Sequence, residues 1–267
     1  MLSLSQLYRF PLKSGRVEPL QSSPVDALGL VGDRRWMVVD AASGRFLTQR
    51  ALPQMSQVSA LYNPCGGLRL NAPGLPELNV PVPGAESLRG VTVWSDSLRV
   101  PDAGDAAAQW FSDYLGKPCR LVYVDHDRAR QVDTAYAAPG DKVAFADGFP
   151  LLLIGQASLD DLSARVGEPL SMLRFRPNLV LAGSAAYAED SFKRIRIGEV
   201  EFEVVKPCSR CILTTVDPVS GVRRADREPL TTLKTYRERE GQVYFGQNLV
   251  PRGSGVLEVG MPVEVLA

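Results

Sequence analysis

Short strand-like runs separated by turn residues recur through most of this chain and constrain its fold more than any other feature. Residues 35–39 (Arg-Trp-Met-Val-Val) form one such run, and residues 91–94 and 98–100 flank a Ser-Asp-Ser turn as the arms of a hairpin would. Residues 200–204 alternate apolar and acidic side chains, so one face of that strand is predicted to be buried and the other wet. This pattern is typical of β-sandwiches and barrels rather than of alternating strand–helix units.

Two stretches interrupt the β pattern with helical spacing. Residues 105–116 place their apolar side chains on one stripe and end at Gly116, a residue that commonly stops a helix. Residues 158–167 begin with Ser158 as a predicted cap and carry a second apolar stripe. Both stripes are predicted to pack against the core, because an amphipathic helix buries its apolar face.

The chain is therefore predicted to be mainly β, of the α+β class, with a few short helices. Residues 63–67, 71–76 and 81–84 are rich in Pro and Gly and are predicted to form loops. A locally charged segment over residues 121–136 predicts a domain seam, which divides the chain into residues 1–122 and 123–267. His126 has acidic neighbours on both sides in this segment and is predicted to be a solvated surface side chain.

Charge and hydropathy exclude several classes of function. Thirty basic residues offset thirty acidic ones, so no global field would attract nucleic acid or an anionic membrane. No run approaches the roughly 18 apolar residues of a membrane span, and the N-terminal residues lack the pattern of a secretory signal. Four sparse cysteines suit a reducing compartment. We therefore expect a cytoplasmic protein that binds neither nucleic acid nor membrane.

A Cys-Ser-Arg-Cys motif, Cys208 to Cys211, is the most informative short segment for function. A structural zinc site usually takes four Cys/His ligands in two close pairs, whereas the other two cysteines lie far apart in the sequence. A thioredoxin-type pair opens a helix, whereas residues 212–216 (Ile-Leu-Thr-Thr-Val) are β-rich. Both thiols could also be small buried apolar groups. Arg210 argues against full burial and is predicted to favour the thiolate, which binds a soft metal ion.

Four other short runs place a cation beside Gly, Ser or Asn at a turn, a composition suited to holding a phosphate or polar heterocycle. They are residues 11–15 (Pro-Leu-Lys-Ser-Gly), 32–36 (Gly-Asp-Arg-Arg-Trp), 146–150 (Ala-Asp-Gly-Phe-Pro) and 175–178 (Phe-Arg-Pro-Asn). In this order, and ahead of the cysteine motif, they resemble the molybdenum cofactor proteins that join an N-terminal β-barrel domain to a MOSC domain. That group contains the mitochondrial amidoxime-reducing components and their bacterial relatives.

The resemblance implies a β-barrel-like domain over residues 1–122 and a MOSC β-barrel domain over residues 123–267. It implies that Cys211 is the protein thiolate on molybdenum and that Asp147 is a proton donor or orienting group beside it. The positions that look like those binding the pterin and its phosphate are Lys13, Ser14, Arg34, Arg176, Asn178, Ser209 and Arg210. Cys208 matches a cysteine that the family does not use as a metal ligand.

The resemblance also implies an activity and its partners. We expect a molybdenum cofactor-dependent oxidoreductase that reduces N-hydroxylated compounds such as amidoximes, hydroxylamines and N-hydroxylated bases. Some relatives append a ferredoxin domain, but this chain ends at Ala267, so electrons are expected from a separate ferredoxin, or from a cytochrome b5-like protein with its reductase. Gly148 and Phe149 stand where some relatives have Thr-Ser, which would remove hydroxyl contacts to the cofactor.

Two other functions stay open at this point. The first is a non-catalytic carrier of molybdenum cofactor or sulfur, with Cys208 and Cys211 passing a persulfide. The second is a β-barrel module that binds another phosphorylated ligand through the same cations, although it leaves the paired cysteines unexplained.

Overall fold

β-strands dominate residues 1–63 and 65–267, which the computed structural model describes; Pro64, within the predicted loop region, lies outside them. The strands are β1 Ser3–Arg9, β2 Glu18–Leu20, β3 Ser22–Asp26, β4 Gly29–Leu30, β5 Trp36–Asp40, β6 Ser59–Tyr62, β7 Leu68–Asn71, β8 Leu78–Val80, β9 Leu88–Val93, β10 Asp96–Pro101, β11 Cys119–Tyr123, β12 Arg130–Gln131, β13 Lys142–Val143, β14 Leu151–Gly155, β15 Leu179–Ala182, β16 Arg194–Ile197, β17 Val200–Arg210, β18 Glu238–Arg239, β19 Gln242–Arg252, β20 Gly255–Glu258 and β21 Val263–Val265. The helices are α1 Asp105–Leu115, α2 Gln156–Val166 and α3 Leu230–Arg237, with 3-10 helices at Pro53–Gln57, Met172–Arg174, Ala188–Ser191 and Ile212–Thr215. The predicted fold class is confirmed.

The largest sheet joins strands from both ends of the chain in the order β2-β1-β15-β14-β19-β17-β16-β21, with β18 paired to β19. β14 and β15 are parallel and are connected through α2, whereas β1 lies antiparallel to β15. Strands β1 and β2 therefore belong to the same sheet as the strands that follow residue 150. The predicted boundary between residues 122 and 123 stays a prediction, and the sheet contains residues from both sides of it.

Both faces of this sheet are covered, which explains the continuous apolar sequence of its central strands. On β14, Leu153 packs into a cluster with β1 residues, whereas the next residue, Ile154, packs against α2 on the opposite face. On β15, Leu179 and Val180 divide between the same two clusters. The alternation follows from the two-residue period of a strand.

Three small sheets in the first half of the chain lie outside the largest sheet. The sheets are β5 with β11, β9 with β10, and β6 with β7 and β8. Trp110 and Phe111 of α1 pack with Trp36 of β5 and with Leu68 and Leu70 of β7. No helix in the described part of the chain is long and apolar enough to cross a membrane.

Several local predictions are confirmed. The stripe of α1 is buried, and Gly116 ends the helix with a left-handed φ of 68°. Strands β9 and β10 pair antiparallel as the predicted hairpin. The His126 side chain is 55% exposed, as its charged neighbours indicated.

Two local predictions are wrong. Helix α2 begins at Gln156, and Ser158 is not its cap; its buried hydroxyl instead donates to Glu189 Oε1 at 2.7 Å. Residues 212–215 form a 3-10 helix rather than a strand, because Thr214 and Thr215 donate their hydroxyls to backbone carbonyls three residues back.

Candidate functional site

Two neighbouring cavities, which share several lining residues, lie between the turns of the first half and the end of β17. The inner chamber, about 120 Å³, is lined by Lys13, Ser14, Arg34, Thr48, Arg50, Ala146, Asp147, Gly148, Phe149, Leu151, Leu152, Phe175, Arg176, Asn178, Cys208, Arg210, Leu213 and Asn248. The outer mouth, about 410 Å³, is lined by Arg50, Trp94, Asp147, Gly148, Phe149, Arg174, Phe175, Lys206, Pro207, Cys208, Ser209, Arg210, Cys211, Leu213, Thr214, Gln242 and Asn248. Nearly all predicted site residues line the inner chamber, whereas Ser209 and Cys211 line the mouth.

Three of the lining residues adopt left-handed backbone conformations that are unfavourable for side chains with a Cβ. Ser14, Arg34 and Arg176 have φ angles of 64°, 48° and 54°. Each such residue costs roughly 1–2 kcal/mol relative to an ordinary conformation. The surrounding contacts hold the turns in place: Arg34 donates to the Arg176 carbonyl at 3.0 Å, and Arg176 donates to the Gly15 carbonyl at 2.7 Å. Backbone strain of this kind concentrates at functional sites.

Lys13 and Asp147 form an ion pair at the chamber. Lys13 Nζ lies 2.6 Å from Asp147 Oδ1 and also donates to the Phe145 carbonyl at 2.7 Å. Burial lowers the pKa of Lys13 to about 8, although the Asp147 carboxylate opposes that change. Burial alone would raise the pKa of Asp147, but the charges of Lys13 and Arg50 hold it well below its usual range. The Asp147 side chain is 58% exposed because it faces the open cavity, so solvent weakens this pairing.

Two guanidinium groups at the chamber have nitrogens that no described residue satisfies. Arg210 donates Nε to the Phe245 carbonyl at 2.8 Å and Nη1 to the Phe175 carbonyl at 3.0 Å, but its buried Nη2 has no partner among the described residues. The buried Arg176 Nη2 also has no hydrogen-bond partner among the described residues. Burial lowers the pKa of Arg176 to about 9, and the neighbouring Arg34 charge acts in the same direction. Buried polar groups are nearly always hydrogen-bonded, so both nitrogens are suited to an anionic ligand.

Asn178 is largely occupied by protein contacts. Its Oδ1 accepts from Arg34 Nη1 and from the Leu152 backbone, each at 3.2 Å, and its Nδ2 donates to the Tyr8 carbonyl at 3.1 Å. One amide hydrogen remains available for a ligand. Asn178 therefore holds the turn of Arg34 against β1 and β14.

Arg50 is a lining residue that the sequence reasoning missed. It donates Nε to Cys211 Sγ at 3.4 Å and Nη2 to Asp147 Oδ2 at 3.3 Å, so it joins the candidate metal ligand to the candidate acid. The residue lies in an irregular segment after β5, and its immediate neighbours Gln49 and Ala51 are not the Gly, Ser or Asn residues that marked the other candidate cations. Its proximity to Cys211 depends on a contact across 161 positions in the chain.

The two cysteines of the motif have different surroundings. Cys208 packs against the cluster that contains Phe245, and burial raises the pKa of its thiol despite the Arg210 charge. The Arg210 charge acts on the Cys208 thiol in the predicted direction, but burial outweighs it. Cys211 is exposed at the mouth, beside Arg50. The pairing register of β17 with β19 shifts between Pro207 and Ser209, and such irregularities re-aim the side chains that follow.

Gly246 of β19 lies beside the Arg210 guanidinium, and its replacement by alanine is expected to destabilise the protein. A Cβ there would lie 2.7 Å from the Leu153 carbonyl oxygen and 3.4 Å from Arg210 Nη2, at a φ of 78°. Gly241 provides the matched control, because its φ is 73° and a Cβ there would have no neighbour within 4 Å. Thermal unfolding of G246A and G241A separates crowding from backbone strain. Crowding is expected to add about 1–3 kcal/mol to the loss, and equal losses in the two variants would contradict this interpretation.

Described residues provide no group of three or more His, Cys, Asp or Glu side chains able to hold a metal ion. The mouth offers the Cys211 thiol, so a metal bound there would need to bring most of its own ligands. The unpartnered guanidinium nitrogens, Lys13 and the long cavity fit an anionic ligand that extends from the chamber to Cys211. The molybdenum cofactor, with a phosphate at one end and sulfur donors at the other, is a group of this kind.

Comparison with known proteins assigns the chain to a family. Residues 1–118 match the MOSC N-terminal beta barrel domain and residues 140–264 match the MOSC domain. The mitochondrial amidoxime-reducing component 1 of Xenopus laevis is 36% identical over 97% of this chain and 81% of its own length. The human protein of the same name is also 36% identical, over 99% of this chain and 83% of its own length. A molybdenum cofactor sulfurase from Oryza sativa subsp. japonica is 30% identical over 92% of this chain but over 32% of its own length.

The chain belongs to the family of MOSC proteins that includes the mitochondrial amidoxime-reducing components. The resemblance inferred from the ordered motifs is thereby confirmed. The individual roles of the site residues remain predictions.

Proposed function

We propose that this protein binds the molybdenum cofactor and reduces N-hydroxylated compounds with electrons from a separate redox protein. The observation that carries the proposal is the pair of unpartnered, buried nitrogens of Arg176 and Arg210 along a cavity that leads to the exposed Cys211 thiol. The names of the relatives, amidoxime-reducing components and a molybdenum cofactor sulfurase, support it.

The predicted cofactor-binding residues fall into two groups, one in the inner chamber and one at the mouth. Arg34 and Arg176 would hold the phosphate end in the inner chamber, where their charges are shielded from water. Arg210 and Ser209 would contact the pterin nearer the mouth, and Cys211 would ligate molybdenum. When bound, the cofactor supplies the two-electron chemistry, and the protein supplies orientation and protons.

Proton supply is assigned to the Lys13–Asp147 pair. Reduction of an N–OH group to N–H consumes two electrons and two protons and releases water. The low pKa of Asp147 makes it a carboxylate at neutral pH, so it suits orientation and proton acceptance better than the predicted donation. Lys13 Nζ, with a pKa of about 8 and 2.6 Å from Asp147, suits proton delivery through that carboxylate.

The charge of the mouth favours a neutral substrate over a cationic product. Arg50, Arg174, Lys206 and Arg210 line it together with the acidic Asp147. An amidoxime is neutral at pH 7, whereas the amidine formed from it is protonated. The excess of cations would therefore assist product release.

A carrier of cofactor or sulfur is the second candidate, favoured by the similarity to a cofactor sulfurase and by the exposure of Cys211. Transfer of a persulfide between the two cysteines is less compatible with the site, because burial raises the pKa of the Cys208 thiol and the thiolate is the reactive form. Sulfane sulfur on Cys211, detected by mass spectrometry in protein without pterin, would favour the carrier.

Purified protein from a host that makes the cofactor tests the proposal directly. We expect near-stoichiometric molybdenum and pterin, and reduction of an amidoxime when chemically reduced methyl viologen replaces the natural electron donor. Protein that retains molybdenum and pterin but reduces no N-hydroxylated compound would overturn the reductase assignment.

A further inference from the structure

Trp94 occupies an unfavourable position for its residue type. It follows β9 in the tight turn of the β9–β10 hairpin and has a φ of 57°, a conformation that favours Gly or Asn. Its side chain is 42% exposed, whereas Trp36 and Trp110 are buried to 0% and 6% exposure. A large aromatic side chain that is both strained and exposed is not explained by the packing of the hairpin.

The indole is held at the candidate site. It lines the outer mouth together with Cys211 and Asp147. The Phe46 ring packs on it edge-on at a centroid distance of 4.9 Å, and the Arg50 guanidinium lies 4.7 Å from its ring centre. Arg50 in turn donates to Cys211 Sγ at 3.4 Å. Trp94 therefore contacts Arg50, which in turn contacts the Cys211 thiol, and part of the indole ring is exposed to the mouth.

We propose that Trp94 is the platform on which the flat aromatic part of an N-hydroxylated substrate stacks. This inference rests on the proposed reductase function and names the substrate class, namely aryl and heteroaryl compounds rather than alkyl ones. A ring stacked on the indole would bury apolar area at little entropic cost, because two neighbours already hold the indole. Phe149, which also lines the mouth, adds a second aromatic surface.

The proposed role of Trp94 is tested by comparing the binding of two amidoximes, one that carries a phenyl group and one that carries a methyl group in its place. Benzamidoxime and acetamidoxime are titrated by calorimetry into the cofactor-loaded protein without an electron donor, so no turnover occurs. W94G is expected to weaken benzamidoxime binding by about 3- to 10-fold and acetamidoxime binding by less than 2-fold, as expected for loss of an aromatic pair. W94F is expected to retain most of the affinity for benzamidoxime.

W94G is suited to this test because glycine adopts the observed φ without strain, so its melting temperature is expected to stay close to that of the original protein. L88A, at the other end of the same hairpin, is the control for general loosening of β9, since Leu88 is also partly exposed. Equal weakening of both ligands in W94G, or no weakening of either, would overturn the inference.

Kinetics give a second readout. With reduced methyl viologen as donor, W94G is expected to raise KM for benzamidoxime more than it lowers kcat. A protein without reductase activity would refute the proposed function, whereas the calorimetric comparison would still decide the role of Trp94.

Discussion

Replacement of Cys211 by serine is expected to reduce amidoxime reduction by on the order of 100-fold or more, with loss of most bound molybdenum. Loss of a residue that supports a metal ligand typically lowers metal affinity or activity 10–100-fold. Removal of the ligand itself is therefore expected to lower them by at least as much. The exposed thiol lies at the mouth and contributes little to the core, so the variant is expected to fold normally. Metal analysis, thermal unfolding and the viologen-linked assay measure these effects.

Two other cysteine variants serve as controls. C65S removes a second exposed thiol that lines neither cavity, and it is expected to keep its molybdenum and activity. C208A is expected to lose about 1 kcal/mol of stability through lost packing while keeping most of its molybdenum. Retention of both molybdenum and activity by C211S would contradict the assignment of Cys211.

Replacement of Arg176 by methionine is expected to weaken retention of the pterin by about 10- to 150-fold, since hydrogen bonds to charged groups contribute about 1.5–3 kcal/mol each. The same change is expected to alter the stability of the cofactor-free protein by less than about 1 kcal/mol, because two effects oppose each other. Burial without a full set of partners disfavours the charged guanidinium, whose pKa is lowered to about 9, and methionine removes that cost. Methionine also removes the hydrogen bond to the Gly15 carbonyl that holds the turn in place. Retention of the pterin would therefore respond much more strongly than stability.

Pterin content after gel filtration and the thermal midpoint of cofactor-free protein test this expectation. Arg165, an exposed cation of α2 paired with Asp161, is the control position, and R165M is expected to change neither quantity appreciably. A cofactor-free R176M protein that unfolds well below the original would indicate that Arg176 is needed for the fold itself.

Local sequence patterns predicted much of the secondary structure, because periodicity and turn residues act within a few positions. Helix α1 and the β9–β10 hairpin follow from such patterns. Ser158 shows the limit: it precedes an apolar stripe like a cap, yet its hydroxyl is bound by Glu189, 31 residues away. The capping pattern cannot reveal a buried carboxylate supplied by another part of the chain.

The candidate site was predicted through the types and order of its residues, and the structure brings most of them to one chamber. Arg50 was missed because nothing in its own segment distinguishes it from a solvated cation. Gly148, expected to remove hydroxyl contacts, lines both cavities, and a Cβ there would have no neighbour within 4 Å. A larger side chain at this position would therefore project into free space at the site.

The sequence by itself determined the mainly β class, the α1 helix and the family, since these depend on local periodicity and on ordered motifs. Only the tertiary structure decided that β1 joins the sheet of the second half, that Arg50 and Trp94 reach the mouth, and that Cys208 is partly buried while Cys211 is exposed. The physical reason is that these features depend on strand register, on register shifts between β17 and β19, and on contacts between distant residues. Strand register and long-range contacts form only when the sheet assembles, so they cannot be predicted from a short segment of neighbouring residues.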